Sequence, residues 1–302
     1  MKTTVISFYL GCIMCFSVSS QELGRLKNQA TNLYLTTENG NLQATEISED
    51  SLSAVWKFLK MESGHYRIQN LKDGTYLNIE TEIPQSTEIE HHWWSPMWAI
   101  QAFEGTSLIK IQNRWKDDRY LNMQEGLNCT PIQDDWQSSI WDKEVVDMAT
   151  NANDSLFTNL FDKVKALDAH NKLRAEVGVA PLVWSEDLAF QAQLWADKLA
   201  AKSGGEDFFL EHSVSYENLA GGWVTGDPPE MLILKGWGEK EKPNFNPATR
   251  KCYEGKICGH YTAVVWRKTQ RVGCGVGINA NGKYVLVCNY DPPGNMNREP
   301  AF

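Results

Sequence analysis

Ser213 follows His212 directly, and Glu217 stands four residues further on. These are the residue types of a nucleophile, a base and an orienting acid, the set that performs acyl transfer in hydrolases. The spacing argues against that use, because adjacent side chains seldom reach the hydrogen-bond geometry a triad needs. The chain also lacks a Gly-x-Ser-x-Gly elbow and a His-Glu-x-x-His pair. We therefore read the protein as non-enzymatic, with a hydrolase kept as the alternative.

Cysteine offers a second chemistry. Seven are present. Cys12 and Cys15 fall in a leader: Lys2 supplies a positive start, Val5 to Phe16 is apolar, and Ser17 to Ser20 are small cleavage-site residues. Residues 1–20 thus read as a secretory signal peptide, too short to span a bilayer. The mature protein is expected outside the cell, where disulfides persist. Cys252, Cys258, Cys274 and Cys288 crowd the last quarter and Cys129 stands alone, a count that suggests two local bridges and one free thiol. The net charge of −9 argues against nonspecific nucleic-acid binding, and no later segment is apolar enough to cross a membrane.

The elements that position these groups fall into two halves, as about 100–200 residues per domain suggests for a chain of 302. Over the first half a unit of about 43 residues repeats three times. Tyr34-Leu35, Tyr76-Leu77 and Tyr120-Leu121 open the units, and Trp56, Trp98 and Trp141 close them, each three residues after a Ser. Short alternating runs between Gly, Asn, Asp and Ser turns read as all-β. The three closing Trp are expected in a shared core. Cys129 takes the slot of Ala44 and Ser86 and is expected to be a small buried residue. Alternation would then turn Asn128 outward, and Asn128-Cys129-Thr130 and Asn153-Asp154-Ser155 are glycosylation sequons.

These spacings resemble the β-trefoil of ricin-type lectins, over residues 22–147. The family's Gln-x-Trp signature is absent: Ala54, Pro96 and Ser139 stand where the Gln would be. The resemblance implies a glycan partner. Trp93, Trp94, Trp115 and Trp136 lie near turns rather than at the core position. They are the candidate carbohydrate contacts, stacking on a sugar ring while His91, His92, Asp134 or Asp135 bond its hydroxyls.

Residues 148–154 are small and polar and read as a linker. From residue 155 the period becomes helical, with Leu156, Leu160, Phe161, Val164 and Leu167 on one face, running toward His170. Ser185 reads as the N-cap of a second helix, with Leu188, Ala192, Trp195, Ala196 and Leu199 buried. Glu230 to Trp237 is expected to be helical. Tyr261 to Trp266, Gly273 to Ile278 and Tyr284 to Tyr290 alternate like strands, the last two joined by a hairpin turn at Asn279 to Gly282. The layers predict an α-β-α sandwich over 155–302.

Gly259-His260-Tyr261-Thr262-Ala263-Val264-Val265-Trp266 and Val287-Cys288-Asn289-Tyr290-Asp291-Pro292-Pro293-Gly294-Asn295 resemble the two signatures of the CAP superfamily. That superfamily comprises cysteine-rich secretory, antigen 5 and plant pathogenesis-related proteins. His170-Asn171 with Arg174, and Glu217-Asn218-Leu219-Ala220, fit as well. The resemblance implies a cleft with two His and two Glu, matched here by His212, Glu217, His260 and Glu241, with Glu239 as a rival for the last place. Tyr216 stands where the family has Gly. Two imidazoles suit Zn²⁺ or another divalent metal, and the carboxylates would either ligate it or hold the far ring N–H. No cofactor is required. The resemblance also implies a role in defence, signalling or lipid and sterol binding. Gly221 to Val224 and Met231 to Ile233 would border an apolar groove. Cys252 and Cys258 share a turn-rich loop. A Cys274–Cys288 pair would resemble the antigen 5 arrangement, although sequence cannot fix connectivity.

Overall fold

The structure is a computed structural model and describes residues 22–38, 41–147, 160–203, 208–296 and 299–302. The leader, the 148–154 linker and the Asn153 sequon lie outside the described residues.

Twelve strands build the first unit: β1 (Glu22–Asn28), β2 (Tyr34–Glu38), β3 (Asn41–Thr45), β4 (Trp56–Lys60), β5 (Tyr66–Asn70), β6 (Tyr76–Asn78), β7 (Gln85–Thr87), β8 (Trp98–Ala102), β9 (Leu108–Asn113), β10 (Tyr120–Asn122), β11 (Asn128–Thr130) and β12 (Trp141–Val145). Six of them, β1-β4-β5-β8-β9-β12, pair antiparallel in a ring that closes when β12 returns to β1. Closure leaves no edge among these six. The other six form three hairpins, β2–β3, β6–β7 and β10–β11, one per repeat.

The repeat is legible in the core. Trp56, Trp98 and Trp141 are fully buried, and each Nε1 donates at 2.9 Å to the carbonyl of Leu35, Leu77 or Leu121. One Tyr-Leu motif thus receives one closing Trp, and none of these three indole N–H groups is left without a partner. Asn28, Asn70 and Asn113 form a second threefold set, each donating at 2.8 Å to a Ser carbonyl: Ser138, Ser53 and Ser95. Leu35, Leu77 and Leu121 sit opposite Ala44, Ser86 and Cys129. Cys129 is fully buried, as expected, and burial pushes its thiol up to about 12.

The second unit contains α1 (Lys163–Glu176), β13 (Val183–Trp184), α2 (Glu186–Lys202), β14 (Glu217–Trp223), a π-helical segment Ile233–Glu239, the small pair β15 (Phe245–Asn246) and β16 (Lys251–Cys252), α3 (Gly259–Val264), β17 (Arg271–Ile278) and β18 (Lys283–Asp291). The main sheet runs β13-β17-β18-β14, antiparallel except for β13 beside β17. Ala192, Ala196 and Leu199 of α2 pack on one face, against Leu219, Val285 and Val287. α1, α3 and the π-helical segment pack on the other, against Val272, Cys274, Leu286, Cys288 and Tyr290. The expected α-β-α layering is present.

Glycine explains how closely α2 lies on the sheet. A Cβ at Gly273, Gly275 or Gly277 would come within 2.1 Å of Ala189 N, 2.3 Å of Gln193 Cα or 2.2 Å of Ala196 O. With a period of two, all three face the helix, so its backbone rests directly on β17. Ser185 caps α2, its Oγ accepting from Leu188 N at 3.2 Å.

Two expectations need correction. Tyr261 to Trp266 forms α3 and its C-terminal turn, not a strand. Apart from the half-buried Thr262 its residues are buried, and a short, mostly apolar run does not distinguish buried strand from buried helix. α1 starts later than the apolar pattern implied: Asp162 caps it, Ala166, Ala169, His170, Leu173 and Arg174 are its buried face, and Val164 is half exposed. Arg174 is fully buried without a carboxylate. It donates to the carbonyls of Ala180, Val264, Trp266 and Thr269 at 2.7–3.0 Å, tying α1 to the segment after α3.

Both expected bridges form, Cys252–Cys258 and Cys274–Cys288. The second joins directly opposed residues of β17 and β18.

A buried joint connects the units. Phe190 of α2 packs with Met61, Tyr76, Ile89 and Met97, meeting the Tyr76 ring edge-on at 5.6 Å, and the Arg67 guanidinium covers its other side at 4.3 Å. Around this core Glu62 accepts from Ser185 Oγ and from Arg271 Nη1, and Lys198 pairs with Glu90. Met61, just after β4, and Tyr76, Ile89 and Met97 of the second repeat supply the first unit's half of this apolar core.

Candidate functional site

The edge strand β14 carries Glu217 at its start, and the loop before it carries His212 and Ser213. Glu217 is buried. Its carboxylate accepts from the backbone N–H of Ser213 and of Val214 (3.3 Å), and from Ser213 Oγ at 3.1 Å. His212 Nδ1 lies 3.4 Å away, and its side chain is largely exposed. Ser213 Oγ therefore addresses the acid, not the imidazole. This order departs from that of a Ser–His–acid relay, in which the hydroxyl meets the imidazole.

The second pair is tighter. Glu241 Oε1 takes His260 Nδ1–H at 2.6 Å. Its Oε2 accepts from the backbone N–H of His260 (2.9 Å) and Tyr261 (3.1 Å), at the start of α3. Burial works against the charged form of Glu241, but the bonds from His260 and from these two N–H groups outweigh it and hold the carboxyl below its usual range. With Nδ1 donating, Nε2 of a neutral His260 is free to accept or to ligate. Trp237 stacks on the ring at 5.9 Å and 16°. Glu239 is exposed, and it is Glu241 that meets His260.

A buried chain of polar groups backs this pair. His170 Nδ1 donates to Ala166 O at 2.7 Å, Tyr290 Oη donates to His170 Nε2 at 2.9 Å, and Asn218 Nδ2 donates to Tyr290 Oη at 3.1 Å and to His260 O at 3.0 Å. Burial lowers the His170 pKa to about 4, so the ring stays neutral. Asn218 adjoins Glu217 in β14, so the two His–Glu pairs share one scaffold.

Among the described residues, one group of three ligand-type side chains lies within mutual reach of an ion: His170 with Cys274 and Cys288. Those sulfurs are bonded to each other and cannot ligate. His212, Glu217, Glu241 and His260 do not converge in that way.

The turn-borne Trp separate into two kinds. Trp93 is half-buried against the joint around Phe190. Trp136 is half-buried. Trp94 is 57% exposed and Trp115 41%. Asn128 is half-buried, its Oδ1 accepting from Cys129 N, while Thr130 Oγ1 is bonded to Asn122. Of the proposed groove residues, Trp223 and Val224 are exposed, but Ile233 is fully buried in the core. Sequence reading missed Arg67 and Phe190; nothing in a local pattern marks a residue whose partner lies in the other unit.

Residues 167–290 match the model of the cysteine-rich secretory protein family, CAP. Over 138 residues the chain is 45% identical to pathogenesis-related leaf protein 4 of Solanum lycopersicum, covering 45% of this chain and 80% of that protein. It is also 45% identical over 139 residues to pathogenesis-related protein 1A of Nicotiana tabacum, covering 45% and 78%. Among solved structures, a designed threefold-symmetric protein, ThreeFoil, is similar over 42% of this chain and 99% of that one, with a TM-score of 0.36 at 13% identity. The chain belongs, through its second unit, to the CAP family.

Proposed function

We propose that this is a secreted, non-enzymatic binding protein of defence, in which a ricin-type β-trefoil attaches to a glycan surface and the CAP unit acts there. One observation carries the reading. A unit 45% identical to a pathogenesis-related leaf protein is fixed, across a buried joint, to a closed threefold β unit with exposed Trp. The closed six-strand ring with three hairpins supports the trefoil assignment. The apolar leader and two disulfides support secretion. No helix among the described residues is long and apolar enough to cross a membrane.

The test is a glycan array with insoluble-polysaccharide pull-down on the full mature chain and on Trp94→Ala/Trp115→Ala. Retention by wild type and loss in the double variant is the expected result. Absence of retention on every glycan would overturn the lectin reading and leave the trefoil as a scaffold, moving effort to sterol binding by the CAP unit.

A metal reading is favoured only in a reduced form. The oxygens of Glu217 and Glu241 are already engaged, so the donors left are ring nitrogens of His212 and His260, with the carboxylates behind them. Two nitrogens fall short of the three protein ligands of an open zinc site. Calorimetric titration of Zn²⁺ into wild type and His260→Ala tests it, with weak binding lost in the variant as the expected outcome.

A further inference from the structure

We infer that the Trp94–Arg114–Trp115 face of the first unit binds an acidic sugar, a pyranose bearing a carboxylate, within a polysaccharide. This deepens the glycan-binding reading and rests on it.

The face is built on tied backbone. Asn113 Nδ2 donates to Ser95 O at 2.8 Å and Arg114 N donates to Met97 O at 2.9 Å, which lashes the segment bearing Trp115 to the one bearing Trp94. Both indoles remain exposed. The Arg114 guanidinium lies over the Trp94 ring at 4.7 Å, and its Nη1 touches Met97 Sδ at 3.4 Å. Among the described residues it pairs with no carboxylate. Lys116 lies over Trp115 at 4.6 Å. It shares a single acid, Glu82, with Arg119.

Arg114 adds to burial in lowering the pKa of both His65 and Arg67, so its charge lies near both, although Tyr76 and Asp187 act on Arg67 in the opposite sense. Arg67 is buried, and its Nε and Nη1 have no hydrogen-bond partner. Glu80, which accepts from Ser95 Oγ, and the exposed Asp117 and Asp118 are the acids of this region, and none of them makes an ion pair with Arg114. A guanidinium with no carboxylate partner among the described residues thus sits beside two exposed indoles, on a chain of net charge −9.

An indole takes the apolar face of a pyranose, and a guanidinium takes a carboxylate through paired N–H donors. A neutral sugar would use the first feature and leave the second without an anion. The overall negative charge disfavours acidic polymers elsewhere on the surface, so attraction to one is local.

The experiment measures binding of the full chain to polygalacturonate, neutral galactan and dextran sulfate, at rising salt, for wild type, Arg114→Gln and Trp94→Ala. Trp94 is exposed and Arg114 half-buried, and thermal melts verify the variants' fold. We expect polygalacturonate binding that weakens with salt and drops about tenfold in each variant. Binding to dextran sulfate alone would replace the carboxylate by a sulfate and overturn the inference. Galactan binding indifferent to Arg114→Gln would overturn it while keeping the lectin reading. Binding to none of the three or of the array glycans would overturn both.

Discussion

In the pair His260–Glu241 the imidazole is held: 2.6 Å to the carboxylate, a Trp237 stack on one face, and a backbone tied through Asn218 to the buried His170–Tyr290 chain. In the pair His212–Glu217 the carboxylate is held instead, by two backbone N–H groups and a Ser hydroxyl, and His212 reaches it only at 3.4 Å from an exposed position. The two pairs look equivalent as residue types. One orients an imidazole with Nε2 presented outward; the other folds a loop. The difference lies in what each carboxylate's lone pairs are already doing.

The comparison can be broken by substitution. Glu217→Ala is expected to cost about 4 kcal/mol, since it removes a buried acceptor of three charge-assisted bonds. Denaturant unfolding measures this, and a loss below about 1 kcal/mol would mean the loop is held by something else.

The next effect is in the scaffold behind both pairs. His170 is buried neutral with a pKa lowered to about 4 from an ordinary 6.5. The unfolded chain therefore takes up a proton that the folded one refuses. Stability falls as pH drops from 6.5 toward 4, by about 3 kcal/mol in total, and levels off below. Tyr290 and Arg174 face the ring, and neither offers it a negative charge at these pH values. Unfolding curves across that range should flatten in His170→Gln; an unchanged slope would place the acid sensitivity elsewhere.

Glu241→Gln should cost about 2 kcal/mol, by weakening acceptance from the two N–H groups at the start of α3 and from the ring. It should also release the His260 tautomer, which nitrogen NMR reads as a mixed population where wild type shows one. The smallest effect belongs to His212→Ala, within about 0.5 kcal/mol because the side chain is exposed. A melt equal to that of Glu217→Ala would show that His212, not the loop, is what Glu217 supports.

Much of this was legible in the chain. The threefold Tyr-Leu and Trp marks placed the first unit's core, and the Ser185 cap and the hairpin at Asn279 to Gly282 placed α2 and the last two strands. Signature resemblance brought His212, Glu217 and His260 into view, but left Glu239 and Glu241 undecided, because two residues of sequence cannot say which carboxylate reaches α3. The strand expected at Tyr261 to Trp266 is instead α3, because a short, mostly apolar and mostly buried run carries too little periodicity to separate helix from strand. Trp93 and Trp94 are adjacent and polar-flanked alike, yet one enters the joint and the other faces solvent.

What the sequence determined by itself is local and periodic: two units, most of their element types, the repeated core Trp, the small residue at Cys129, and the clustering of four cysteines. These follow from side-chain period, turn chemistry and count, which need no knowledge of distant partners. The tertiary structure decided which carboxylate each histidine meets, which Trp stays exposed, and where α2 docks on the second repeat. Those outcomes depend on groups far apart in the chain, such as Arg67 and Phe190 or Glu241 and His260. Packing and hydrogen-bond satisfaction are settled only when the surfaces close on one another.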